Sequence, residues 1–225
     1  MTVQEITENV QEVFPDVGSA QVVKEIDRAQ KYFVELTNIL EKSVDLSDIV
    51  AIASNYIFTL PADFIAVKEI LLYDSVGDPV FPSDLELEWY VDKANSKLVF
   101  YSTSSTTISG IDASVATAYM VYYYVPTTIT IALDVELLIP EEFHEGIYAK
   151  VMEKAFAKYR TTVIARNGMP AQIIDHKSIQ YWRGEFQVHT IRARQQMRDR
   201  KDKTRRDVIL HEYAGTIDFP KSKEV

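Results

Sequence analysis

The sequence predicts an α+β fold. A helical bundle of N- and C-terminal helices packs with an inserted antiparallel β meander or sandwich, and a C-terminal arm projects from it. Three observations carry this. Val22, Val23, Ile26, Ala29, Phe33, Leu36 and Leu40 recur every three or four residues, and Phe143, Ile147, Val151, Ala155 and Tyr159 every four, which is the period of one helix face. Between residues 56 and 125 the pattern changes to strands, most clearly over 116–125. There Tyr119, Val121, Tyr123 and Val125 take one side and Ala118, Met120, Tyr122 and Tyr124 the other. After Ile191 the apolar face of the last helix disappears while the chain continues polar. The expected organisation is N-terminal helices over 1–50, an antiparallel β region over 51–130, C-terminal core helices over 131–190, and a projecting basic helix with a docking tail over 191–225.

In chain order, residues 2–13 read as a short helix with Ile6, Val10 and Val13 on one face, broken by Pro15-Asp16 and Gly18-Ser19. A longer helix follows from about residue 19 to 42, with Ser19 as its N-cap. Everything before Tyr56 reads as helix. Tyr56 to Leu60 alternates as a strand. Pro61 stops its ladder, since proline has no N–H to donate. Ala62-Asp63-Phe64 turns, with the Asp63 side chain suited to accept a backbone N–H, and 65–73 resumes as a buried strand. Gly77-Asp78-Pro79 is a turn to a short edge piece at 80–82. Residues 87–91 and 98–101 pair through the loop 92–96, and the Ser/Thr-rich stretch 102–114 is a long loop or hairpin arm.

Pro140-Glu141-Glu142 opens a helix, with proline at its start and two carboxylates near the positive end of the helix dipole. It runs to about residue 166, before Asn167-Gly168-Met169-Pro170. A second long helix spans 171 to about 206, anchored by Ile173, Ile174, Tyr181, Trp182 and Phe186. From 191 to 206 it is polar all round, so it must bridge, project or fray. Val208 to Tyr213 then reads as an apolar, strand-like piece, followed by Gly215 to Pro220. An apolar tail beyond a solvated arm is explained by docking onto a partner or a neighbouring copy.

With 225 residues, 47% of them hydrophobic, the chain has ample material for a core. It has no cysteine, which excludes disulfides, thiolate chemistry and cysteine-ligated zinc. The first twelve residues are polar and acidic, unlike a signal peptide. No run approaches the ~20 apolar residues that span a bilayer, so the expectation is a soluble protein made in the cytosol. The net charge of −9 is unevenly spread: residues 1–140 carry 21 acidic and 7 basic side chains, whereas 141–206 carry 15 basic and 8 acidic. This polarity suits head-to-tail contact between copies or a surface facing a polyanion; the alternative is ordinary wet helix faces.

Little in the sequence points to catalysis. His144, His176, His189 and His211 are far apart, and His144-Glu145 lacks the second histidine of a helical zinc motif. There is no glycine-rich phosphate loop and no nucleophile elbow. Helix-start electrostatics and a solvated linker account for Glu141-Glu142 and Asp134/Glu136, the candidate acid pairs. No cofactor or metal is expected. Tyr122, Tyr123 and Tyr124 admit a base-stacking platform or cross-strand packing, and β-propensity favours packing. The basic run 192–206 admits phosphate binding, but Asp199 and Asp202 interrupt it and it has no interleaved aromatics. Nucleic-acid binding through this run is the alternative function, and an enzyme with an unrecognised carboxylate pair the third.

One ordered set of motifs resembles a known family. Leu60-Pro61-Ala62-Asp63-Phe64 follows two helices, the second carrying Ile26-Asp27-Arg28-Ala29-Gln30. A meander and a strand ending in Tyr123-Tyr124-Val125-Pro126 come next, then Leu138-Ile139-Pro140-Glu141-Glu142-Phe143-His144 opening a helix. Over residues 19–160 this succession resembles the head-to-tail adaptor (connector, neck) proteins of tailed bacteriophages. The stretch 102–114 is longer than the pattern leads one to expect, and nothing after Arg206 matches it. The resemblance implies a structural virion protein with no enzymatic role. Its copies would form a ring, dodecameric as a rule, beneath the portal protein. The ring would extend the DNA channel without sequence specificity, help retain the genome, and hold the tail or a further neck ring. Assembly would place it in the virion neck, away from any membrane. A C-terminal arm would reach the portal or a neighbouring subunit, here through Arg192, Arg194, Arg198, Arg200, Arg205 and Arg206, with Val208, Ile209, Leu210, Tyr213, Ile217 and Phe219 as its docking tail. Acidic body and basic helices would meet between adjacent subunits, and an acidic channel wall would let DNA pass without sticking.

Overall fold

The computed structural model describes residues 1–46, 50–52, 55–80, 87–102, 117–129, 135–159 and 171–214, with backbone alone at 50–52, 87, 102, 171–175 and 201–214. The expected 102–114 loop and 167–170 helix stop lie outside the described residues, Ser102 excepted. The fold is α+β, in two units: a helical one from residues 1–29 and 133–225, and a β unit from 30–132.

In the helical unit, α1 (Val3–Val13) starts on a capping box. Glu5 N donates to Thr2 Oγ1 at 3.1 Å, and Thr2 N donates to Glu5 Oε2 at 2.8 Å. Its Val3, Ile6 and Val10 are buried, as is Phe14 just beyond its end. Phe14 meets Phe156 edge-on, with ring centroids 5.0 Å apart. A single 3₁₀ turn, Glu141–Phe143, leads into α3 (His144–Lys158), whose Ile147, Val151, Met152 and Ala155 are buried. This helix stops at Lys158, short of the expected 166. Tyr159 leaves helical backbone geometry, and its ring lies 6.1 Å from that of Phe14.

The last helix, α4, runs Ala171–Ala214. Glu142 meets Gln196, Glu145 meets His189 and Glu153 meets Arg183, so α3 and α4 run antiparallel. Two expectations are corrected here. Val208 to Tyr213 is helix rather than a strand-like piece, because no glycine or proline interrupts residues 185–214 and a β-branched pair only slightly weakens a helix already under way. Residues 191–206 are not polar all round either. Ala193 is fully buried and Gln196 donates to Glu142 Oε1 at 2.7 Å, so the packed face continues past Ile191 through small and polar groups.

The helix expected over 19–42 is α2 (Ser19–Thr37). It ends because Asn38 takes a left-handed conformation (φ 53°), its N–H bonding Val34 O at 2.8 Å. The residues beyond are strand, not helix: β1 (Glu41–Asp45) and β2 (Val50–Ile52) precede β3 (Asn55–Thr59) and β4 (Phe64–Tyr73). Then come β5 (Pro79–Val80), β6 (Leu87–Asp92), β7 (Lys97–Ser102) and β8 (Thr117–Tyr124).

Two antiparallel sheets result, ordered β1-β8-β4-β5 and β2-β3-β7-β6. Between them lie Phe58, Leu60, Leu98 and Phe100 from one side and Ile70, Leu72, Met120 and Tyr122 from the other, with Leu46. The expected hairpins are present. In the β4–β5 turn, Asp74 Oδ1 accepts from Val76, Gly77 and Asp78 N–H at 2.8 to 2.9 Å, and Gly77 has a φ of 94° that suits glycine. Leu60 to Phe64 is the corner where the chain leaves one sheet for the other. The Asp63 carboxylate there is held by side chains. It accepts the Tyr122 hydroxyl at 3.1 Å and pairs with Lys42 at 2.6 Å, while Asp63 O accepts from Val125 N at 2.8 Å.

Candidate assembly surface

At about 100° per residue, Trp182, Phe186, His189, Thr190 and Ala193 fall on one side of α4, and all but the half-buried Trp182 are buried. Tyr148 packs its ring on Trp182 at 5.4 Å and Lys150 lies 4.9 Å from the Phe186 ring centroid. Glu153, 5% exposed, accepts from Lys150 Nζ at 2.7 Å and Arg183 Nε at 3.0 Å. Burial by itself would raise its carboxyl. The hydrogen bonds and charges of Lys150 and Arg183 outweigh it and hold the carboxyl below its ordinary value.

The opposite side of α4 is open. Tyr181, Val188 and Ile191 are 59, 41 and 54% exposed. The sequence placed Tyr181 among the core anchors; the helix period puts it about 100° from Trp182, off the packed face. Arg192, Arg194, Arg198 and Arg200 are exposed. Their spacing distributes them around the helix, with Asp199 between, rather than along one groove-lining row. Arg205, Arg206, Val208, Ile209, Leu210 and Tyr213 continue the same helix, and Ile217 and Phe219 lie outside the described residues.

The acidic start of the chain forms a surface of its own. Glu5, Glu8 and Glu12 form one exposed row on α1, legible from their spacing of three and four. Beside the start of that helix, Val3 N donates to Val135 O at 3.2 Å and Thr2 bridges Glu136; Val135 and Leu138 are exposed.

The histidines are dispersed. His144 is buried with Nε2 2.9 Å from Ile139 O, His189 is buried 3.8 Å from Glu145, and His176 is exposed beside Gln180. No group of three or more His, Asp or Glu among the described residues is placed to hold a metal ion. Of the tyrosine run, Tyr122 stacks on Phe64 at 5.9 Å and Tyr124 lies under Lys42 Nζ at 4.0 Å, so packing occupies two of the three rings.

The order of these parts, from the capped first helix through the Leu60–Phe64 corner to the Pro140–His144 helix start, is matched by a model of the SU10 adaptor protein over residues 1–210. The chain belongs to the SU10 adaptor protein family. This is a family of phage head-to-tail adaptors, so the role is a structural one in a bacteriophage. The SU10 adaptor match reaches further than the motifs at 19–160: it takes in α1 and all but the last turn of α4. No match was found among curated proteins. Among the described residues no helix is long and apolar enough to cross a membrane.

Proposed function

We propose that the chain is a neck component of a tailed phage, whose copies close into a ring between the portal and the tail, extend the DNA channel and support genome retention. Membership of the SU10 adaptor family over residues 1–210 carries this reading. The geometry of α4 supports the arm. Gln196 meets Glu142 of the 3₁₀ turn before α3, and the helix continues to Ala214, another ~27 Å at the α-helical rise. Arg198 to Tyr213 then form one helical arm, and its docking partner is the portal or the neighbouring subunit. In this reading the chain is structural and carries no catalysis.

Light scattering on the purified protein, alone and then mixed with the cognate portal, tests it. A monomer alone and a ring-sized complex with portal is the expected result. A protein that ignores portal and binds DNA with steep salt dependence would instead establish the arginines of α4 as a phosphate-binding surface.

A further inference from the structure

We infer that the outer face of α4 docks onto the α1 face of the next copy in the ring, an inference that rests on the ring reading above. The donor surface is Tyr181, Val188 and Ile191, on the side of α4 turned away from Phe186 and Ala193, with Arg192 and Arg198 flanking it. The acceptor is the exposed row Glu5, Glu8 and Glu12 of α1, whose first residue, Val3, bonds exposed Val135 through its N–H.

Two properties select a second copy as the occupant. The exposed charges are mainly opposite: carboxylates Glu5, Glu8 and Glu12 on α1, and guanidiniums Arg192 and Arg198 on α4 with Asp199 beside them. The two surfaces also differ, so the contact is head-to-tail, and contacts of that kind close into rings when the rotation allows. An acidic foreign partner would satisfy α4 alone, whereas a second copy engages both α4 and the acidic row of α1. Opposed patches of this sort fix orientation and suppress wrong pairings.

The chain has no cysteine, which makes the test direct. Full-length Glu8→Cys and Arg198→Cys proteins are mixed, assembled with portal, and treated with a short bis-maleimide. The mixed cross-link is expected to exceed either variant with itself by about tenfold, the ratio that a modest orientation preference gives. Charge reversal at either position, Glu8→Arg or Arg198→Glu, is expected to weaken assembly by about tenfold, and the double reversal to restore it. Ring-sized complexes that give no mixed cross-link and ignore both reversals would overturn this contact and leave the ring standing. Failure of the unmodified protein to form any such complex would overturn the ring reading and this contact with it.

Discussion

The Tyr122 hydroxyl donates to Asp63 Oδ1 at 3.1 Å, joining the central strand β8 to the corner where the chain changes sheets. The phenol is pushed up to about 12, first by burial, then by the charge and hydrogen bond of Asp63. The folded protein therefore holds this proton more tightly than the unfolded chain, whose tyrosines titrate near 10. The contribution to stability is complete below pH 10 and is lost as pH rises toward 12. An ultraviolet titration of the tyrosines should show a late phenol at about 12 that Asp63→Asn shifts, alongside the raised Tyr101, Tyr123 and Tyr148. The substitution should bring that phenol part of the way down, since burial remains.

Glu153 gives the opposite dependence. Its carboxyl is held below the ordinary 4.5, so its contribution is present above that value and lost as pH falls through the lower folded one. Glu153→Gln should cost about 1–3 kcal/mol near neutrality, because Lys150 and Arg183 lose a charged acceptor. Denaturant melts of both proteins across the acid range check this: the gap between the two curves should narrow as pH drops.

His144 ties down the start of α3. With Nε2–H donating to Ile139 O across the Pro140 turn, it holds the 3₁₀ segment against the helix. His144→Ala should cost about 1–3 kcal/mol, from a lost hydrogen bond and a cavity in a buried site. Hydrogen exchange should quicken at residues 141–147 before it does in the rest of α3. Uniform protection there would show that the turn stands without the imidazole.

Truncation after Met197 separates folding from assembly. It keeps Phe186, His189, Thr190 and Ala193, which are buried, and Gln196, which bonds Glu142. The thermal midpoint should change little, while portal-dependent assembly is lost. Intact portal association would rule out an arm that docks through residues 198–219.

Much of this was legible because local pattern and final structure agree: β8, both hairpins and the Leu60–Phe64 corner follow alternation and turn chemistry. The departures have physical causes. Glu41 to Asp45 is mostly exposed and polar, with no alternation to read; it is a strand because β8 offers it an edge, in register from Glu41↔Tyr123 to Asp45↔Tyr119. Leu40 continued the helical period and hid the stop at Asn38, a residue able to take the left-handed conformation. Val208 and Ile209 carried strand propensity that an established helix overrode. On α4 the apolar residues fall on both sides, so apolarity alone could not say which ones pack. Angular position could, and it separates Phe186 from Tyr181 and Ile191.

The strand order also has a consequence for synthesis. β8 sits between β1 and β4, yet it is the last strand of its sheet to be made. Until Tyr124 has left the ribosome, β1 and β4 each present an unpaired edge, and the nascent chain has no partner of its own to cover them. The helical unit waits longer still, because residues 1–29 need the segment after 133. A ribosome stalled between those points would hold a chain with open strand edges and an unmatched apolar helix face, the form of this protein most exposed to aggregation.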